Sequence, residues 1–311
     1  MTSETLLLIG REVRGAREAF RVHADRIADR TGIDVEIACY AEEPGRELRD
    51  RFCEVDADVT YAVPMCAAHG YDTVDAIPAA LSAISGDVRY CDPVGTSPAV
   101  TDVIAARADA ARAGAMAGES TAADRVDAVD RGAGDGDADV SLVLVAFGSS
   151  SKPHGRRMAE YHADRLRSRS EYAEVVPCYL LQNPAVECVR YAVTGDRIVA
   201  VPLFVSRSAA TEDRIPTELE LDRGGIAYAE PFGDHPRLTD AIHAEVEKQR
   251  ALAVGDHRDD LGHESVDSAG DRSPTTKRAI VTDGEGTRKP PSPENPSRTQ
   301  DSSRSRNDDP R

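Results

Sequence analysis

Short continuous apolar runs alternate along this chain with stretches in which apolar residues recur at helical spacing. LLLIG from Leu6 is followed by a helical pattern through Phe20, Val22 and Ile27, and VEIACY from Val35 by a second through Leu48 and Phe52. VTYAVPM from Val59 precedes a third helix predicted to begin near Asp72, and VRYC from Val88 precedes a fourth after Pro98. The second part of the chain repeats this order with SLVLVAFG from Ser141, AEVVPCYLL from Ala173, RIVAVPLFV from Arg197 and IAYAEPFG from Ile226. Strands without polar alternation, each followed by a helix, predict βαβ units and a parallel sheet covered on both faces. The expected fold class is α/β, with two repeated domains of four parallel strands each.

The repetition extends to the residues themselves. VPMCAAHGYDTVDAIP from Val63 answers VPLFVSRSAATEDRIP from Val201, and the first and last prolines are 14 residues apart in both. HADRI from His23 answers HADRL from His162 at an offset of 139, and DPVGTSPAVTDVI from Asp92 answers EPFGDHPRLTDAI from Glu230 at an offset of 138. A repeat of this length predicts a duplicated domain and one cleft between two halves. The expected boundaries are residues 1–104 for the first half, 105–139 for an Ala/Gly/Asp-rich linker, 140–250 for the second half and 251–311 for a tail. The tail is poor in large apolar residues, so it is expected to be disordered. A monomer with pseudo-twofold halves is expected.

Composition narrows the partners. The formal net charge is −17, and residues 251–311 hold 10 Lys or Arg against 12 Asp or Glu, so nearly all the excess lies in the folded part. An acidic surface disfavours nucleic acid and anionic membranes, which need basic patches. It is similar to the surfaces of proteins from salt-loving organisms. The six cysteines occur singly, mostly in or beside apolar runs, and read as buried thiols. No run approaches the ~20 apolar residues that cross a bilayer, and a cytoplasmic location is expected.

These motifs resemble the CbiX-type sirohydrochlorin cobaltochelatases of the class II chelatase fold, in their long two-half form. In that family the first strand ends in GHGS, to which AFGSSS from Ala146 is similar. The next helix reads xxLHxxRI, matched by FRVHADRI and EYHADRL. The third strand opens VPLF and leads to histidine and then DIP, matched in frame by both VP…IP segments, and CEPIG is matched by CDPVG and EPFG. The resemblance implies insertion of a divalent metal, Co2+ first with Ni2+ or Fe2+ as alternatives, into an anionic tetrapyrrole of cobalamin biosynthesis, with no permanently bound cofactor. It also implies two metal-binding histidines, one in GHGS and one after the third strand. The aligned positions here are Ile9 and Phe147, and Asp72 and Ala210. None is histidine, so a non-catalytic paralogue that binds tetrapyrrole or metal stands as the alternative.

Metal insertion needs a ligand to deliver the ion and a base for two pyrrole protons, and the turns at the carboxyl ends of parallel strands are where such groups belong. His69 and Asp72 lie in that turn after the third strand, three residues apart. They are expected as ligand or base and its carboxylate partner, against a reading of His69 as an exposed loop residue and Asp72 as a helix cap. His154, in the first turn of the second half, is the third candidate metal ligand. Arg11, Arg14, Lys152, Arg156 and Arg207, with Arg17 and Arg157 beside them, are expected to hold substrate carboxylates, against a reading as surface ion pairs. Ser149, Ser150 and Ser151 add donors there. His23 and His162 read as histidines packed against the sheet, and His235 as a turn residue.

Overall fold

The computed structural model describes residues 2–119, 139–149 and 152–261, all within one compact unit, Met1–His263. The first half contains β1 (Glu4–Arg11), α1 (Ala16–Thr31), β2 (Asp34–Tyr40), α2 (Pro44–Phe52), β3 (Val59–Pro64), α3 (Ile77–Leu81), β4 (Asp87–Tyr90) and α4 (Ala99–Glu119). The second half repeats it with β5 (Val140–Ala146), α5 (His154–Arg167), β6 (Glu174–Tyr179), α6 (Val189–Ala192), β7 (Arg197–Pro202), α7 (Ile215–Glu218), β8 (Ile226–Tyr228) and α8 (Pro236–Leu261). The sheets are ordered β2-β1-β3-β4 and β6-β5-β7-β8, with every pairing parallel. The fold class is therefore that read from the sequence.

The last helix of each half runs beyond the expected boundary of that half, the first of them into the Ala-rich start of the expected linker. α4 continues to Glu119 and α8 to Leu261. The remainder of the expected linker, the tail beyond Leu261, and Ser150 and Ser151 lie outside the described residues.

These two long helices are exchanged. α4 packs against β7, β8 and α5 of the second half, while α8 packs against α1 and β3 of the first, and the two helices also touch each other. The largest buried cluster accordingly mixes both halves, joining Leu6, Leu8 and Phe20 to Leu142, Phe232 and Ile242. Two further clusters, around Leu7, Leu48 and Phe52 and around Val143, Val189 and Ile215, fill the outer face of each sheet.

Two buried histidines pin the exchange. His23 on α1 places Nδ1 2.8 Å from Thr239 Oγ1 and Nε2 2.9 Å from the Gly233 carbonyl, both in the second half. His162 on α5 repeats this with Thr101 Oγ1 at 2.9 Å and the Gly95 carbonyl at 2.9 Å, both in the first half. Such polar rings are fully buried because both nitrogens find partners. The sequence predicts that both pack against the sheet, and the structure adds that their polar partners come from the opposite half. The periodicity that places them on an apolar face does not say which half covers that face.

Both third-strand turns enter a short π-helix at the same register, Asp72–Ala76 and Ala210–Arg214. Thr73 and Thr211 accept from the Gly70 and Ser208 amides at 2.8 Å each, and Tyr90 and Tyr228 donate to the Thr73 and Thr211 carbonyls. The scaffold around the turns is thus duplicated in detail.

Candidate functional site

A cavity of about 880 Å³ opens between the halves at the carboxyl ends of both sheets, where groups borne on βα turns converge. The first half supplies Arg11, Val13 and the turn Met65–Tyr71, and the second supplies the Ala146–Ser149 turn, Lys152, Met158 and the turn from Leu203. The lining is mostly apolar. At the mouth, Phe147, Leu181 and Tyr71 remain exposed, and Phe147 meets Phe204 edge to face with ring centroids 6.5 Å apart.

Strand register assigns the first-half counterpart of Phe147. Ile9 pairs with Pro64 and Val145 with Pro202, so the residue opposite Phe147 is Arg11. Ile9 was the expected position, but it is buried in the outer core. Its offset to Val145 is 136, whereas the third-strand segments differ by 138, and a single alignment offset therefore misplaced this turn.

Arg11 does not stand free. It donates to Asp72 Oδ2 at 2.9 Å, Tyr40 donates to the same oxygen at 3.0 Å, and the guanidinium lies over the Tyr40 ring. The Asp72 carboxylate raises the guanidinium pKa, opposed by partial burial, and burial together with Asp72 raises that of the Tyr40 phenol. Asp72 is therefore committed to Arg11 and Tyr40, and the His69–Asp72 pairing expected from their spacing is not among the contacts it makes. The reason is local. Spacing of three brings side chains together only inside a helix, and here the helix begins at Asp72 while His69 lies in the irregular turn before it.

His69 faces a different carboxylate. Its Nε2 stands 3.6 Å from Asp92 Oδ1, in the CDPVG segment after β4. Lys248 on α8 donates to the other Asp92 oxygen at 2.6 Å and also to Glu245 at 3.2 Å. The Lys248 hydrogen bond holds the Asp92 carboxyl below its ordinary range, with partial burial opposing and His69 adding to the effect. The remaining ring nitrogen, His69 Nδ1, is buried without a hydrogen-bond partner. This nitrogen therefore has no partner within the protein, although it lies at the wall of the cavity.

His154 opens α5 in the second half, and its ring meets that of His69 edge to face at 6.0 Å across the halves. The structure thus brings His69 and His154 together and leaves Asp72 apart from them. Among the described residues, no three His, Cys, Asp or Glu side chains gather in an arrangement that would hold a metal ion. Asp92 was missed by the sequence reading. β4 lies beside β3, so the turn that ends β4 must fall next to the turn carrying His69, and that adjacency was the available signal.

The expected carboxylate-binding cations divide into two groups. Arg11 and Lys152 line the cavity. Arg17 pairs with Glu12, Arg156 with Glu160 one helical turn on, and Arg207 with Glu230 at 2.7 Å, all as partly exposed ion pairs. Arg14 reaches Glu212 at 3.5 Å across the cleft. His235 has its pKa lowered by partial burial and by nearby Arg107 and Arg237, and its Nδ1 accepts from the Arg237 amide at 3.3 Å, a turn role. Of the cysteines, Cys39, Cys91 and Cys178 are buried, whereas Cys53 and Cys188 are exposed where helices end or begin, and all six are free. Among the described residues, no helix is long and apolar enough to cross a membrane.

Two four-stranded parallel α/β domains joined face to face over one cavity at their strand ends define the two-half chelatase-like architecture. The chain belongs to the CbiX family, which matches residues 5–111 and again residues 141–249. A probable sirohydrochlorin cobaltochelatase of Halobacterium salinarum is 27% identical, over 73% of this chain and 84% of that protein. The fold is similar to that of SirB from Bacillus subtilis, solved with Fe3+, with a TM-score of 0.60, 18% identity, and coverage of 81% of this chain and 98% of that one. A multi-domain protein of Deinococcus radiodurans described as structurally similar to chelatases gives a TM-score of 0.57 at 22% identity over 79% of this chain. Only 54% of its own length is spanned.

Proposed function

We propose that this chain is a chelatase that inserts a divalent metal, cobalt first among the candidates, into a sirohydrochlorin-like tetrapyrrole. The observation that carries this reading is the cavity between the halves, with apolar walls for a macrocycle, cations at Arg11 and Lys152 for its carboxylates, and the unpartnered Nδ1 of His69 beside His154. Family membership and the name of the Halobacterium salinarum relative support it. Insertion replaces two pyrrole N–H bonds by bonds to the metal and releases two protons. In this reading His69 Nδ1 from the first half and His154 from the second receive the ion between the halves, and the imidazoles take the protons as the ring nitrogens pass to the metal. Phe147, exposed and braced edge to face by Phe204, offers an apolar ring to the macrocycle. The cobaltochelatase name of the Halobacterium salinarum relative supports placing the reaction in cobalamin biosynthesis.

The commitment of Asp72 to Arg11 and the absence of a three-residue ligand group among the described residues favour one other reading, a protein that binds tetrapyrrole without metal insertion. Spectrophotometry of purified protein with sirohydrochlorin and Co2+ in high salt separates the two. Turnover that is lost in His69→Ala supports the chelatase. Tight binding with no turnover gives the second reading, and no binding removes both.

A further inference from the structure

The mouth of the cavity is crossed by two ion pairs, one running each way between the halves. Arg14, in the turn after β1, reaches Glu212 in the π-helix of the second half at 3.5 Å. Lys152, in the turn after β5, reaches Asp75 in the π-helix of the first half at 3.8 Å and lies over the Tyr71 ring at 4.9 Å. Each strap therefore runs from a first-strand turn of one half to a third-strand turn of the other. Val13 and Ala210 flank the first strap and line the cavity, and Tyr71 and Lys152 belong to the lining at the second.

Both pairs are long and exposed, with Arg14 83% and Lys152 40% accessible, so each is weak and its cation can change partners at little cost. Elsewhere near these turns the cations are held more closely, Arg17 at 2.7 Å by Glu12 and Arg156 at 2.7 Å by Glu160. The loosely held pair are the two that span the cleft.

We propose that Arg14 and Lys152 are two carboxylate-binding subsites on opposite sides of the cavity mouth, each occupied in the free protein by an internal carboxylate, Glu212 or Asp75, that the ligand's own carboxylates displace. The ligand class is a flat polycarboxylate with acidic groups on opposite edges, wide enough to reach both straps while its face rests on Phe147. The exchange opens the mouth and rebuilds the same two charge pairs with the ligand, so entry does not leave either cation unpaired. This rests on the reading of the cavity as a tetrapyrrole site and adds how the site selects and admits its ligand.

The test uses the whole chain in high salt, without metal, and follows quenching or shift of the fluorescence of uroporphyrin, an octacarboxylate tetrapyrrole, on titration. Glu212→Gln and Asp75→Asn remove the competing carboxylates and leave the cations. Each is expected to tighten binding about two- to fivefold, and the double variant more than either. Arg14→Gln and Lys152→Gln are expected to weaken binding by a similar factor, with circular dichroism unchanged in all four. Equal or weaker binding by the Glu212→Gln, Asp75→Asn double variant overturns the exchange while leaving the tetrapyrrole site standing. Absence of uroporphyrin binding by the unaltered protein overturns both.

Discussion

His23 and Thr239 are 2.8 Å apart although they belong to different halves, and the Gly233 carbonyl on the other side of the ring decides how they bond. A carbonyl can only accept, so Nε2 carries the proton and Nδ1 accepts from the threonine hydroxyl. The same logic fixes His162 between Gly95 and Thr101. Thr239→Val or Thr101→Val keeps the shape but leaves a buried imidazole nitrogen unpaired, and each is expected to lower stability by about 1–3 kcal/mol. Denaturant midpoints in high salt measure this, and the two losses should add, since the sites share no partner.

Burial lowers the pKa of both histidines from 6.5, with Arg26 and His235 acting in the same direction at His23 and Arg165 at His162. The hydrogen bonds to Gly233 and Gly95 oppose the shift, with Asp234 also opposing it at His23. The folded state therefore disfavours the protonated ring. Their contribution to stability is complete above about pH 6.5 and is lost as pH falls through the lower folded values, because the unfolded chain binds more protons there. Unfolding followed from pH 8 to pH 5 should show declining stability in this window, and His23→Gln with His162→Gln should flatten that part of the curve. An unchanged slope in the double variant would count against the assignment.

Gly95 has no room for a side chain. A Cβ there would lie 2.3 Å from the Ala67 backbone, in the wall of the cavity next to His69. Gly95→Ala must push apart the turns after β3 and β4, which are tied by the Gly95 amide to the Cys66 carbonyl at 3.0 Å. A loss of roughly 2–4 kcal/mol is expected, together with weakened uroporphyrin binding. Thermal unfolding and the fluorescence titration report the two effects.

His69 and Asp72 should separate in cobalt binding. His69→Ala is expected to abolish measurable binding of Co2+ by calorimetry, and Asp92→Asn to weaken it about tenfold by freeing the ring that Asp92 faces. Asp72→Asn removes the charge shared by Arg11 and Tyr40, which costs about 1 kcal/mol of stability at this partly exposed site. It should leave cobalt affinity unchanged. Equal effects from all three variants would contradict the separation of the two clusters.

The eight strands were legible because each is an unbroken apolar run such as LLLIG or SLVLVAFG, and buried parallel strands need such runs. The duplication was legible from the paired VP…IP segments. Three features were not. Helix periodicity marks a buried face on α4 and α8 but carries no record of which sheet lies beneath it, so the exchange was invisible. The two-residue difference in offset between the first-strand and third-strand segments hid Arg11 behind Ile9. The irregular turn and π-helix after β3 broke the spacing rule that had joined His69 to Asp72 and concealed Asp92, which lies 23 residues from His69 in sequence.

The exchange of α4 and α8 bears on how the chain emerges from the ribosome. When β1 to α4 have been synthesised, the inner face of the first sheet awaits a helix that is still 117 residues away, counting from Glu119 to Pro236. α4 meanwhile has an apolar face whose destination, β7 and β8, does not yet exist. In the first half, α1 alone is then present to cover the inner face of the sheet, through Phe20, Ala24 and Ile27. The packing seen in the structure, with both inner faces covered and both walls of the cleft in place, becomes possible only once α8 has been made.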